Sequence, residues 1–255
     1  MAADIELFTC LSDNYGVLMH DPATGATAAI DVPEAAPVLA AAARRGWTIS
    51  HILVTHHHPD HVQGIAEVKQ ATGARVIANA ADAHRIPLVD ETVLAGGTAR
   101  FGNQSADIID TPGHTVGHIA YHFGAEGLLF AGDTLFALGC GRLFEGTRAQ
   151  MWAALQALAA LPPETQVYCG HEYTESNARF ALTVDPGNAA LQARAKAVAE
   201  LRAAGRPTIP TTIALEKATN PFLRAGDPAI AAALGMAGAT PLAVFTELRE
   251  RKNRG

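Results

Sequence analysis

Seven side chains of metal-binding type stand in this sequence where turns of the chain would gather them. His56, His58, Asp60 and His61 fall together immediately after the compact apolar run 49–54. In an extended segment alternate side chains share a face, so His56 and His58 point one way and His57 the other. A helix beginning just beyond would present Asp60 and His61 from its first turn. A polar loop with chance histidines is the plain alternative, and three histidines and an aspartate at this spacing argue against it. His114 in Thr111-Pro112-Gly113-His114-Thr115, Asp133 in Gly132-Asp133-Thr134 and His171 in Gly170-His171-Glu172 each follow a strand-like run beside a glycine. Loops that gather at a sheet edge in this way carry function. Five histidines and two carboxylates exceed what one tetrahedral ion takes and suit two ions that share a carboxylate. The chemistry within reach is the binding of two metal ions.

The elements that must position these donors are short strands broken by turns. Apolar runs at 4–10, 15–20 and 26–32 precede an alanine-rich helix at 35–45 with a stop at Gly46. The strand 49–54 leads into the histidine cluster, and a helix is expected from Val62 to about Thr72. Strands follow at 75–79 and near 107–111, 117–123 and 127–131. A helix over 148–161 places Met151, Trp152, Leu155 and Leu158 inward and ends at Pro162-Pro163, and a strand at 166–169 leads into His171. Beyond about residue 172 strands give way to helices, expected at 188–204, 227–234 and 241–252. The division is a mixed α/β catalytic domain at 1–171 and a helical domain at 172–255.

Composition narrows the class. Of 255 residues, 49% are hydrophobic and 17% charged, so the chain can bury a core and is neither disordered nor fibrous. A net charge of −6 argues against gripping nucleic acid. Three dispersed cysteines give no disulfide framework and suit a reducing cytoplasm. The acidic start lacks the character of a leader, and no apolar stretch is long enough to span a membrane. Among the other histidines, His118 is a candidate to brace a ligand or simply to fill the core, and His20, His51, His84 and His122 have structural or solvated readings. Cys169 reads as a small buried strand residue.

Taken together, Thr55-His56-x-His58-x-Asp60-His61, Thr111-Pro112-Gly113-His114-Thr115, Gly132-Asp133-Thr134-Leu135-Phe136 and Gly170-His171 resemble the metallo-β-lactamase superfamily in both order and interval. The resemblance implies an α+β fold, a four-layer αβ/βα sandwich followed by a smaller helical domain. Gly139-Cys140-Gly141-Arg142-Leu143-Phe144-Glu145-Gly146-Thr147, Gly170-His171-Glu172-Tyr173-Thr174, Asn220-Pro221-Phe222-Leu223-Arg224 and the basic tail are similar to the glyoxalase II (hydroxyacylglutathione hydrolase) family. That likeness spans essentially the whole chain. It departs at Phe144, where a tyrosine often stands, and at Arg142, where a lysine is also found.

By resemblance, His56, His58 and His114 hold one divalent metal, Asp60, His61 and His171 a second, and Asp133 bridges them. Zinc is the first expectation, with iron or manganese as alternatives, since these donors accept all three. A hydroxide between the ions attacks the thioester of S-(2-hydroxyacyl)glutathione, with Asp60 aiming it. The products are glutathione and a 2-hydroxy acid such as lactate, the second step of methylglyoxal detoxification. Arg142, Phe144, Tyr173, Arg249 and Lys252 are the implied substrate-binding residues. Leu242, Phe245, Arg249 and Lys252 lie on one helical stripe. Sequence alone leaves open whether Arg249 and Lys252 only complement a helix end; the resemblance implies that they hold glutathione carboxylates. The expected enzyme is a cytoplasmic monomer whose partner is a small thioester, not nucleic acid or membrane. The rivals are a mononuclear iron persulfide dioxygenase, a lactamase or lactonase, a metal-dependent nuclease and a non-catalytic binding module. The complete donor set, the missing leader and the acidic charge weigh against them.

Overall fold

The computed structural model describes residues 2–254; Met1 and Gly255, the outer limits of the two expected domains, lie outside the described residues. By internal packing the chain divides into two compact units. One comprises the residues up to Asp110 with Gly117–Gly132, the other Thr111–Val116 with Asp133 onward.

The first unit opens with β1 (Asp4–Cys10), β2 (Asn14–His20) and β3 (Ala26–Ile30), joined by tight turns and paired antiparallel. Helix α1 (Ala35–Arg45) then crosses over to β4 (Thr48–Leu53), and α2 (Pro59–Val62) with α3 (Ile65–Thr72) crosses to β5 (Arg75–Asn79) and β6 (Glu91–Val93). These helical crossovers make β3, β4 and β5 parallel, and the loop 80–90, with a single 3-10 turn at Ala83–Arg85, adds β6 in the same direction. Val38, Ala41 and Ala42 of α1 and Ile65 and Val68 of α3 bury against Leu18, Ala29, Ile49, Ile52 and Val76 of the sheet. The loops that leave the carboxyl ends of β3 and β4 begin Asp31 and Val54-Thr55-His56. In parallel sheets this edge is where ligands bind.

The helix expected over 62–72 is instead two pieces. Gly64 breaks it: a Cβ there would lie 2.7 Å from the Ala35 amide and from Val32 Cγ1, so the chain passes too close to its neighbour for a side chain. A second antiparallel set, β7 (Thr98–Phe101), β8 (Gln104–Asp110), β9 (Ile119–Phe123) and β10 (Leu128–Gly132), runs in the order β10-β9-β8-β7. From β9, fully buried Tyr121 donates its hydroxyl to the Val54 carbonyl at 2.9 Å, which ties this set to the exit of β4.

In the second unit β11 (Leu135–Phe136) and β12 (Gly139–Cys140) form a two-rung hairpin. Helix α4 (Arg148–Ala159) starts at a capping box of Thr147 and Gln150 and buries Met151, Leu155 and Leu158, while Trp152 is only half-buried. Then come β13 (Gln166–Cys169), α5 (Thr174–Val184), α6 (Ala189–Ala203), β14 (Thr211–Thr212), α7 (Ile213–Thr219), α8 (Pro228–Ala233) and α9 (Pro241–Arg254). Helix α6, which the apolar spacing of Leu191, Ala195 and Val198 predicts, buries Leu191 and Val198, leaves Ala195 partly buried and also turns inward Arg194, which meets a buried carboxylate. The expected stripe on α9 is rotated. Phe245 is gripped by Trp152 and Phe222, with ring centroids 5.6 and 6.1 Å away. That contact turns Val244, Phe245, Leu248 and Arg249 inward and leaves Leu242 exposed. No helix among the described residues is long and apolar enough to cross a membrane.

Candidate metal centre

In the first unit the clustered donors occupy the turn after β4. Pro59 opens α2, and Asp60 and His61 come from its first turn, as the spacing predicts. The His56 ring centroid lies 4.7 Å from that of His58 and 4.1 Å from that of His61. His57 leaves on the other side, with Nδ1 2.9 Å from Asp82 Oδ2; Arg85 stands 3.6 Å from the other oxygen of that buried carboxylate. His118 lies face-on against His56, with ring centroids 4.8 Å apart.

This geometry sharpens an expectation from the sequence. His58→Ala abolishes turnover. His57→Ala keeps metal content and turnover but costs stability, about 1–3 kcal/mol, because Asp82 loses a hydrogen-bond partner while buried. Metal analysis, thioester assay and urea denaturation of both variants check this, and equal loss of activity in the two would contradict the alternation.

A carboxylate that the sequence reading passes over organises the cluster. Asp31, buried at the carboxyl end of β3 in the left-handed region (φ 55°), accepts three hydrogen bonds. Its Oδ2 takes His61 Nδ1 at 2.8 Å and the Thr55 hydroxyl at 2.7 Å, and its Oδ1 takes the Thr55 amide at 2.7 Å. With its proton given to Asp31, Thr55 Oγ1 accepts from His56 Nδ1 at 3.1 Å. Both imidazoles are thereby protonated on Nδ1 and present an Nε2 lone pair. Asn14, also absent from the sequence reading, donates Nδ2 to the Asp60 carbonyl at 3.0 Å and to its Oδ2 at 3.1 Å.

The second unit carries its own convergent set. His114 donates Nδ1–H to the Arg142 carbonyl at 2.7 Å. A carbonyl only accepts, so Nε2 holds the lone pair of the neutral ring. That nitrogen stands 3.4 Å from Asp133 Oδ2, and His171 Nε2 stands 3.3 Å from the same oxygen. All three side chains are buried. Two imidazole nitrogens flanking one carboxylate oxygen form a donor set that fits a divalent cation of the zinc, iron or manganese type, because the cation relieves repulsion among electron-pair donors.

The substrate candidates divide. Arg142 is exposed, and Phe144, 65% exposed, sets its ring edge against His114 with centroids 5.2 Å apart. Tyr173 stacks on His171 at 4.7 Å. Arg249 is buried: Nη1 donates to the Cys140 carbonyl at 2.9 Å, Nε to Asn253 Oδ1 at 3.1 Å, and the guanidinium lies over the Phe222 ring. Lys252 Nζ donates to the Ser176 carbonyl and hydroxyl at 3.0 and 3.1 Å. Burial, aided by Arg249, Arg179 and Arg142, pushes its ammonium down to about 8. Cys169 is packed in its strand, and burial pushes its thiol up to about 12, far from a thiolate ligand or nucleophile.

Comparison with known proteins gives the family. Residues 11–171 match the metallo-β-lactamase superfamily, and residues 172–255 match the hydroxyacylglutathione hydrolase C-terminus family. The chain is 58% identical over 254 residues to the hydroxyacylglutathione hydrolase of Rhodopseudomonas palustris (strain BisA53), covering 100% of both. It is 57% identical over 250 residues to the enzyme of that name from Rhizobium etli, covering 98% of each. Among solved structures, ETHE1 from Myxococcus xanthus superposes with a TM-score of 0.71 at 28% identity, over 99% of this chain and 92% of that one. The BLEG-1 B3 metallo-β-lactamase superposes at 0.68 with 20% identity, over 86% and 99%. The fold is that of the superfamily: a four-layer αβ/βα sandwich with a smaller C-terminal helical region. With one family covering its first two thirds, another its tail, and named relatives matching it from end to end, the chain belongs to the hydroxyacylglutathione hydrolases of the metallo-β-lactamase superfamily.

Proposed function

We propose that this chain hydrolyses the thioester of S-(2-hydroxyacyl)glutathione, S-lactoylglutathione above all, to glutathione and a 2-hydroxy acid. The observation that carries this reading is the end-to-end match, at 57–58% identity, with enzymes of that name. Residues 1–171 supply the catalytic domain and residues 172–255 the substrate-binding one. His56, His58 and His114 hold one divalent ion, Asp60, His61 and His171 the other, and Asp133 is shared between them. Zinc is the leading candidate, with iron or manganese possible in its place. Bound there, such ions bring the pKa of water from about 15.7 toward 7 and polarise the thioester carbonyl.

The chain's own groups do the rest. Asp31 fixes the ring positions of His61 directly and of His56 through Thr55. Asp60, held by Asn14, accepts a hydrogen bond from the nucleophile and aims it. The leaving thiolate needs no general acid, because an ordinary thiol has a pKa of about 8.5. Arg142, Phe144, Tyr173, Arg249 and Lys252 receive the glutathione moiety. Guanidinium forks and an ammonium suit its carboxylates, although two donors of Arg249 are already engaged within the chain. The enzyme works as a cytoplasmic monomer without nucleic acid or membrane; its three cysteines are free and buried. Turnover of lactoylglutathione, glutathione persulfide, nitrocefin and RNA by the metal-replete protein tests the reading. Hydrolysis confined to the first supports it, and activity only on another member of the panel refutes it.

Lys252 gives a sharper test. Losing one charge-assisted contact costs about 1.5–3 kcal/mol, so Lys252→Ala raises KM for lactoylglutathione about tenfold or more and changes kcat little. In the substrate-free enzyme burial holds the ammonium down at about 8. For the wild type, kcat/KM on lactoylglutathione therefore falls as pH rises through about 8, while a simple thioester without carboxylates shows no such limb. Stability moves the opposite way. Between about 8 and the usual 10.5 the unfolded chain binds the proton and the folded one does not, so this group favours folding more as pH rises. An unchanged KM in a folded, metal-loaded Lys252→Ala removes this residue from the substrate site.

A further inference from the structure

The hairpin β11–β12 begins two residues after Asp133 and ends two residues before Arg142, whose carbonyl orients His114. It has only two rungs, and its backbone polar groups are met by side chains from elsewhere in the second unit. Asn220 Nδ2 donates to the Phe136 carbonyl at 3.2 Å and to the Gly139 carbonyl at 2.9 Å. Asn177 Nδ2 donates to the Ala137 carbonyl at 3.1 Å. Glu216 Oε2 accepts from the Leu138 amide at 2.9 Å. Arg249 takes the Cys140 carbonyl. Every carbonyl or amide named here belongs to five consecutive residues, and each of the four side chains is buried.

Leu138 shows how firmly the turn is held. It sits at φ 60°, a region that a leucine occupies at a cost of about 1–2 kcal/mol. Its side chain is buried with Ala178, Ala181 and Leu191. Glu216 is itself fixed: Arg194 pairs with Oε1, the Thr211 hydroxyl donates to the same oxygen at 2.7 Å, and Asn220 Nδ2 donates to Oε2 at 2.9 Å. Arg194 in turn reaches the Thr219 and Thr211 hydroxyls. A charge pair this deep is stable only while every member is satisfied.

The hairpin presses on the ligand. A Cβ on Gly141 would fall 1.9 Å from the Asp133 carbonyl oxygen, and the Gly141 amide donates to the Thr134 carbonyl at 3.2 Å. The chain leaving β12 thus lies against the backbone of Asp133, then reaches Arg142 and the Nδ1 of His114. A shift of the hairpin moves Asp133 and turns the His114 ring together.

We infer that Asn177, Glu216 and Asn220 are positioning residues of the metal centre: they fix the hairpin that sets the spacing of Asp133 and His114. This rests on the metal-binding reading above. It assigns to the C-terminal helices a task separate from substrate binding, the tuning of metal affinity.

The test compares two hairpin variants with a destabilising control elsewhere. Asn220→Asp keeps the oxygen that accepts the Phe222 amide but loses both donors to the hairpin. Asn177→Ala removes only the bond to Ala137 and serves if the first variant does not fold. Val198→Ala opens a cavity in α6, buried but outside the cluster around Leu138. Each apoprotein is titrated with cobalt(II), and affinity and visible absorption are read beside thermal stability. The hairpin variants bind cobalt about tenfold more weakly, at the lower end of the 10–100-fold range for groups that orient ligands, with altered absorption and kcat reduced at unchanged KM. Val198→Ala melts earlier with wild-type affinity and spectrum. Wild-type affinity and spectrum in a folded hairpin variant overturns the inference, as does an equal loss in Val198→Ala. A wild-type protein that binds no cobalt overturns the metal-binding reading instead, so the two failures are distinct.

Discussion

Asp133→Ala leaves the purified protein with fewer than two metal ions per chain and with its thioesterase activity lost. Asp133 Oδ2 is the oxygen approached by both His114 and His171. Groups that merely orient ligands cost 10–100-fold when removed, so removing a shared ligand costs more than about 100-fold in turnover. Its loss weakens both ions at once, because the charge that offsets two cations goes with it. Elemental analysis after metal-replete expression, with a lactoylglutathione assay, measures both effects. A variant that retains two ions and normal turnover assigns the bridge to another group, and a wild type with no more than one ion removes the dinuclear centre altogether.

Asp31 carries the second large effect, and two substitutions separate its roles. Asp31→Ala strands three buried donors, the Thr55 amide, the Thr55 hydroxyl and His61 Nδ1–H. At about 1–3 kcal/mol each, that loss consumes a large part of a typical folding free energy. Asp31→Asn tolerates the left-handed backbone and nearly preserves shape, but its amide group turns a donor toward the Thr55 amide or toward His61 and the Thr55 hydroxyl. If that donor meets His61, the ring must accept on Nδ1 and carry its proton on Nε2, the nitrogen needed by a metal. Asp31→Asn therefore folds with modest loss of stability and binds metal about 10–100-fold more weakly. Urea denaturation and metal titration of the two variants check this. Full metal affinity in Asp31→Asn restricts the carboxylate to a folding role.

The candidate donor motifs were legible because each is local. His56, His58, Asp60 and His61 are consecutive or nearly so, and His114, Asp133 and His171 each follow an apolar run with a glycine beside them. Strand ends and turn residues are short-range signals. The groups that hold the ligands were not legible, because their roles depend on distant pairing. Asp31 acts on residues 24 and 30 positions away, and Asn14 on one 46 away. The only clue to Asp31 was its place after an apolar strand, a place that many aspartates share. Asn220 lay in a motif singled out by resemblance, yet nothing local points it at a hairpin 84 residues back. Helices α5 and α7 were missed for a related reason: α5 buries small or polar residues such as Thr174, Asn177 and Ala178, and a helix that packs through them has no apolar stripe to read. The break at Gly64 follows from a close backbone approach that no periodicity encodes.

The clamp on β11–β12 also sets an order of events during synthesis. Its side chains lie 40, 78, 84 and 109 residues beyond the backbone groups they hold. At about 5–20 residues per second, Cys140 waits about 5–20 s on the ribosome for Arg249 to be made. Through that interval the four clustered donors of the β4 exit are already made, whereas Asp133 and His114 stand beside a hairpin whose clamp is incomplete. The centre is thus a late product of translation: a chain that stops before α5 carries the donor motifs and none of the clamp, and metal capture becomes a report that the C-terminal helices have been added.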